Sequence, residues 1–153
     1  MHSKIVNFLS ASSYHACLLL LHPDVCRLAR LVDELTATYT WPRLSVGREL
    51  AAALLSEPPA RRPQATRRWL EARLCEMVSA GDEIVLCTEI DLLFEPALHL
   101  DPLRLLRDAS RVARIVVVWP GSYDGDVLAY AVPAHSHYRT WRRPDVLIKQ
   151  LGS

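Results

Sequence analysis

The sequence predicts a three-layer α/β sandwich whose sheet is mostly parallel and holds about five strands. Three observations lead there. Short uninterrupted apolar runs, Ala16–Leu21, Ile84–Cys87 and Ile115–Trp119, are what strands buried on both faces of a parallel sheet require. Between them apolar residues recur at helical spacing, and strands alternating with helices of ten or more residues imply right-handed crossovers. The length, 153 residues, is that of one domain, so residues 1–153 are expected to form a single unit.

The elements follow in order. Ala16–Leu21 is the first strand, ended by His22-Pro23-Asp24, and Asp24 is placed to cap a helix over Val25–Tyr39. That helix shows Val25, Leu28, Leu31, Val32 and Leu35 on one face, with Arg27, Arg30, Asp33 and Glu34 between them. Pro42 breaks the pattern, and Arg43–Val46 reads as a short strand. A second helix, Arg48–Leu55, stops at Glu57-Pro58-Pro59, and Pro58–Pro63 reads as a flexible loop. A third helix spans Gln64–Ala80 and ends at Gly81. Glu83–Cys87 is the next strand. Asp101-Pro102 opens a helix to about Arg111, with Asp as cap and Pro in the first turn. Ile115–Trp119 is a strand stopped by Pro120-Gly121, Ser122–Asp126 is a turn, and Val127–Val132 is a last, shorter strand. From Pro133 to Ser153 the chain reads as a basic tail containing aromatic residues.

Composition excludes some classes of function. Half of the residues are hydrophobic and 23% are charged, which is inconsistent with a disordered chain. The formal net charge of +1 provides no global field toward DNA or a membrane. All basic residues except Lys4 and Lys149 are arginine. The four cysteines, Cys17, Cys26, Cys75 and Cys87, form no C-x-x-C pair, and Cys17 and Cys87 lie in apolar runs, which suits a reduced, cytoplasmic protein. Polar residues from Asn7 to His15 interrupt the N-terminal apolar stretch, so neither an export signal nor a membrane span is expected.

In an open parallel sheet, ligands bind at the carboxyl ends of the strands. The first such end is His22–Arg27, where a phosphate-binding loop would carry G-x-x-x-x-G-K-[ST], with glycines to admit phosphates to backbone amides and a Lys to meet their charge. None of those residues is present; His22, Asp24 and Arg27 stand there instead. The next strand end is Leu86-Cys87-Thr88-Glu89-Ile90-Asp91. An apolar strand ending in Asp-Glu is the second signature of nucleoside-triphosphate hydrolases, the Asp ordering Mg²⁺ and the Glu activating water. Here Thr88 holds the Asp position and Glu89 the Glu position, with Asp91 two residues on. No nucleophile elbow or activated thiol is legible, and His135-x-His137 lacks a third ligand, so no metal site is expected.

The strings Glu89-Ile90-Asp91-Leu92-Leu93-Phe94, Leu100-Asp101-Pro102-Leu103-Arg104-Leu105-Leu106, Ser110-Arg111, Trp119-Pro120-Gly121 and Tyr130-Ala131-Val132-Pro133, with His135 and Tyr138, resemble BrxF, a family of small P-loop-type components of BREX phage-defence systems. The resemblance is best over Glu83–Tyr138. It implies a P-loop NTPase-like fold, a nucleotide site and a role in phage restriction. The chain departs from that pattern at both nucleotide motifs, which leaves a vestigial site of His22, Asp24, Arg27, Glu89 and Asp91 and the expectation of a pseudo-ATPase with no cofactor.

Two groups of arginines with aromatics remain. Arg61, Arg62, Arg67, Arg68 and Arg73 surround Trp69, and Arg139, Arg142 and Arg143 interleave with Tyr138 and Trp141. Such composition suits protein interfaces and nucleic-acid contact alike. Arg67, Arg68, Trp69, Arg73, Arg139, Trp141, Arg142 and Arg143 are thus the expected partner surface. Trp119, at a strand end, is a candidate to stack on a base or a partner side chain. The leading expectation is a non-catalytic assembly or regulatory subunit that docks to other defence-system proteins. One alternative is an ATPase using ATP and Mg²⁺ at Arg27, Glu89 and Asp91; the other is a nucleic-acid-binding module that contacts DNA through the basic tail. The oligomeric state is left open.

Overall fold

A computed structural model describes residues 16–79 and 84–151. The order is β1 (Cys17–His22), α1 (Val25–Tyr39), β2 (Arg43–Ser45), α2 (Val46–Leu54), a 3-10 turn (Pro59–Arg61), α3 (Arg62–Ser79), β3 (Ile84–Thr88), two 3-10 turns (Ile90–Phe94, Pro96–Leu98), α4 (Pro102–Ala109), β4 (Arg114–Tyr123), β5 (Val127–Tyr130), β6 (Arg139–Arg142) and β7 (Leu147–Gln150). The sheet runs β2-β3-β4-β1-β7 with every neighbouring pair parallel. An antiparallel ribbon, β4-β5-β6, grows from the far end of β4.

Period-two alternation along the central strands divides the core between two faces. Leu18 and Leu20 of β1, Leu86 of β3 and Val116 of β4 pack with Leu28, Val32 and Leu35 of α1. Leu19 and Leu21, Val85 and Val117 face the other way, against Leu50 of α2, Leu70 and Leu74 of α3 and Leu106 of α4. Helices therefore cover both faces, which is why the strands read as unbroken apolar runs. Leu18, Leu19 and Leu20 are fully buried, each stabilising the fold by about 2 kcal/mol relative to exposure.

Both expected caps form. The Asp24 carboxylate accepts from the Cys26 amide at 2.9 Å, and the Asp101 carboxylate accepts from the Arg104 amide at 3.2 Å, with Pro102 opening α4. Burial raises both core thiols, Cys87 to about 12 and Cys17 further, because a thiolate there would be desolvated.

Several expectations are corrected. β4 does not stop at Pro120-Gly121 but continues to Tyr123. Pro120 is tolerated because it stands where β4 leaves β1 (His22 opposite Pro120) and takes up β5 (Gly121 opposite Tyr130). The strand expected at Val127–Val132 is the antiparallel β5, and the fifth parallel strand is β7, inside the segment read as a tail. Pro58–Pro63 is not an open loop: it forms a 3-10 turn and the start of α3. The expectations about the N-terminal stretch before Ala16, the helix stop at Gly81 and a strand start at Glu83 lie outside the described residues. Among the described residues no helix is long and apolar enough to cross a membrane.

Candidate functional site

The carboxyl ends of β3 and β4 and the first turns of α1 border a cleft of about 230 Å³. Its apolar wall comes from Val25, Leu28, Ala29 and Val32 of α1 and Val118 of β4, and its polar rim from Arg43, Glu89 and Asp91. The structure thus brings Glu89 and Asp91 together but leaves His22, Asp24 and Arg27 out of the lining. Val25 is 64% exposed, an uncovered aliphatic side chain at the mouth of this cleft.

The β1–α1 turn is too short and too occupied to cradle a phosphate. Only Pro23 and Asp24 separate the two elements. His22 Nδ1 accepts from the Asp24 amide at 2.9 Å, while Asp24 Oδ1 takes the Cys26 amide and, at 3.4 Å, that of Arg27. These amides are the ones an anion would need at a helix N-terminus, and a carboxylate already fills that place. Arg27 is exposed.

The end of β3 is equally committed. Thr88 Oγ1 receives a hydrogen bond from Arg43 Nε at 3.3 Å and lies 3.5 Å from the Leu44 carbonyl. The position a metal-ordering aspartate would occupy is therefore a buried hydroxyl beside a guanidinium, whose charge opposes a divalent cation. ATP with Mg²⁺ does not fit these residues. Glu89 follows in the left-handed region (φ 53°), with its side chain exposed and its carbonyl accepting from the Gly47 amide at 2.8 Å. A Cβ on Gly47 would lie 2.8 Å from that carbonyl oxygen, so only glycine lets α2 start this close to the β3 end. Among the described residues no group of three or more His, Cys, Asp or Glu side chains is placed to hold a metal.

Asp91 is held from beneath. The Tyr130 hydroxyl of β5 donates to its Oδ1, and burial together with that carboxylate keeps the phenol protonated well beyond its ordinary range. Tyr130 stacks on Phe94 (ring centroids 3.5 Å apart, planes 8° apart), and Trp119 meets Phe94 edge-on at 5.2 Å. His135 lies edge-on to Tyr130 at 5.8 Å. Trp119 is fully buried and donates Nε1 to the Ala129 carbonyl at 3.0 Å, so it is not available to stack on a base or a partner, contrary to expectation. Its ring belongs to the core because β4 turns that face toward the ribbon.

The arginines fall into two sets. Arg67 pairs with Asp108 at 3.5 Å, and Arg73 with Glu49 at 2.9 Å and Glu76 at 3.5 Å, so both tie α3 to its surroundings. Arg139 donates to the Leu100 carbonyl at 2.7 Å and lies over the Trp141 ring, while Trp141 donates Nε1 to Asp101 at 3.0 Å. Arg68 and Trp69 instead line an open groove of about 430 Å³ between α2 and α3, with Arg61 at its edge. Arg142 and Arg143 project outward, 84% and 91% exposed. Arg111 pairs at 3.8 Å with Asp108, one turn earlier, at the end of its own helix.

Reading the sequence missed Arg43, Gly47 and the Tyr130 contact with Asp91. The last two rest on approaches across 42 and 39 residues of chain, which leave no local pattern. No protein-family model, no curated protein and no solved structure matches this chain.

Proposed function

We propose that this protein is a non-catalytic α/β subunit of P-loop-like fold that assembles or regulates a BREX-like phage-defence complex by docking to larger partner proteins. The observation that carries the non-catalytic part is the Asp24 carboxylate seated on the Cys26 and Arg27 amides, in a turn of two residues. The P-loop-like part is supported by the parallel order, in which β4 separates the strand before that turn from β3, the strand that ends just before Glu89. The BREX-like part rests on the resemblance, and residues of three of its strings pack together with His135: Asp91, Phe94, Trp119 and Tyr130.

Docking is assigned to the α2–α3 groove, where Arg61, Arg68 and Trp69 supply the residue types that dominate interface energetics. Their cationic rim suits an acidic partner segment. The rival ATPase reading needs Arg27, Glu89 and Asp91 in one site; Arg27 does not line the cleft, and Asp91 is engaged by Tyr130.

Calorimetric titration with ATP and ADP, with and without Mg²⁺, tests the catalytic question. No heat at millimolar nucleotide is expected, and micromolar binding overturns the reading. Pull-downs from a cell carrying the defence system test docking: Arg68→Glu with Trp69→Ala should lose the partner that the parent chain retains. Retention of every partner would sink this groove as the docking surface.

A further inference from the structure

A second concave surface lies along α4, on the other face of the sheet from the α1 side that walls the Glu89 cleft. Its floor and walls come from α4 and from the segment joining β6 to β7, and it encloses about 480 Å³. Five arginines line it: Arg104, Arg107 and Arg111 from α4 and the residues after it, and Arg142 and Arg143 from the end of β6. A hollow of about 280 Å³ adjoins it, sharing Arg107 and Arg111 and reaching Cys17, so the two form one trough.

The local sequence produces this arrangement. In α4 the residues Leu103, Leu106 and Ala109 are buried, which turns positions 104, 107 and 111 onto the solvent side at helical spacing. Arg143 adopts φ 47°, in the left-handed region, and this bend directs the chain from β6 toward Pro144 and Asp145.

Internal pairing leaves these guanidiniums available. The Arg104 guanidinium has no partner among the described residues. Arg142 and Arg143 share one carboxylate, Asp126, at 3.8 Å each, and Arg111 is 3.8 Å from Asp108. Pairs this long and this exposed contribute little and exchange readily with an incoming anion. Only Arg107, 3.1 Å from Asp145, is closely held.

We propose that this trough binds the sugar-phosphate backbone of single-stranded nucleic acid. A guanidinium fork suits phosphate oxygens in geometry as well as charge, and five of them line one trough. Trp141 lines the same trough, half-buried with Arg139 over its ring, and presents part of its indole beside the guanidiniums to a base. Asp101, Asp108 and Asp145 line the trough as well, so a strand is held where its phosphates meet the guanidiniums and its amino and hydroxyl donors meet these carboxylates. This inference stands on residues separate from those that carry the docking groove.

The test is fluorescence anisotropy of the full chain with labelled oligothymidine and oligouridine of about 15 nucleotides, across a salt series. Binding should weaken steeply with salt, since each neutralised phosphate of a single strand contributes about −0.7 to the logarithmic slope. The triple variant Arg104→Ala, Arg111→Ala, Arg143→Ala should bind at least tenfold more weakly, with a slope flatter by about 2. Its thermal midpoint should match the parent, because the three side chains are exposed. Arg30→Ala with Arg48→Ala, on other surfaces, should bind as the parent does. Three results would overturn the proposal: no binding by the parent at about 50 mM salt, parental affinity in the triple variant, or tighter binding of a polyglutamate peptide than of either oligonucleotide. The third would assign the trough to an acidic protein.

Discussion

Tyr130 of β5 donates its phenolic hydrogen to the carboxylate of Asp91, joining the antiparallel ribbon to the turn that follows β3. This contact removes one of the two carboxylates at the strand-end cleft from chemistry and uses it as a brace. The phenol is buried against Phe94 and Trp119, so the brace is continuous with the aromatic core.

Tyr130→Phe keeps the ring stack and deletes only the donor. It should destabilise the fold by about 1 kcal/mol, the net worth of one hydrogen bond whose acceptor can regain water. Urea denaturation of Tyr130→Phe, Asp91→Ala and the double variant checks this. The double variant should cost little more than Asp91→Ala alone; full additivity would show that the contact contributes nothing.

Stability should fall at alkaline pH. Cys87 is raised from 9.0 to about 12 and Cys17 and Tyr130 are raised as well, so the folded chain keeps protons that the unfolded chain releases. Their contribution is complete below about pH 9 and declines above it, first through the thiols and then, past about pH 10, through the phenol. Denaturant midpoints measured from neutral pH upward should decline accordingly, and Tyr130→Phe should reduce the loss above pH 10. A flat profile would contradict the burial of these groups.

Thiol labelling gives an independent reading of the same core. Cys26 and Cys75 are exposed, while Cys17 and Cys87 are buried. A maleimide should modify the first pair in the native protein and reach Cys17 and Cys87 only after unfolding. Mass spectrometry of the peptides decides the matter; native labelling of Cys87 would mean that β3 opens.

Gly47→Ala forces a methyl group to within 2.8 Å of the Glu89 carbonyl oxygen. Either α2 shifts or the Gly47 amide loses that acceptor, at a cost of about 1–3 kcal/mol. A thermal midpoint several degrees lower is expected, and an unchanged midpoint would show that the β3 end yields freely.

Asp24→Ala separates capping from ligand binding. Loss of the cap should cost about 1 kcal/mol in a denaturation series. The freed amides still lack a phosphate-binding Lys and its glycines, so calorimetry of the variant with ATP should remain silent. Measurable nucleotide affinity would identify Asp24 as the group that blocks a usable site.

Much of the architecture was legible in the sequence because it is encoded locally. The runs at Leu18–Leu21, Ile84–Cys87 and Ile115–Trp119 match the pattern of doubly buried strands and form them, and the caps at Asp24 and Asp101 each act within three residues of themselves. That the first turn lacks a phosphate-binding signature was equally readable, since the positions such a loop needs carry other residues. Tertiary structure alone decided the rest. β7 has one buried residue, Ile148, and becomes a strand only because the edge of β1 supplies its hydrogen bonds. Trp119 enters the core because β4 continues past a proline into a ribbon. The arginine trough exists because β6 brings Arg142 and Arg143 beside a helix about forty residues earlier, and no periodicity in the sequence encodes an approach of that kind.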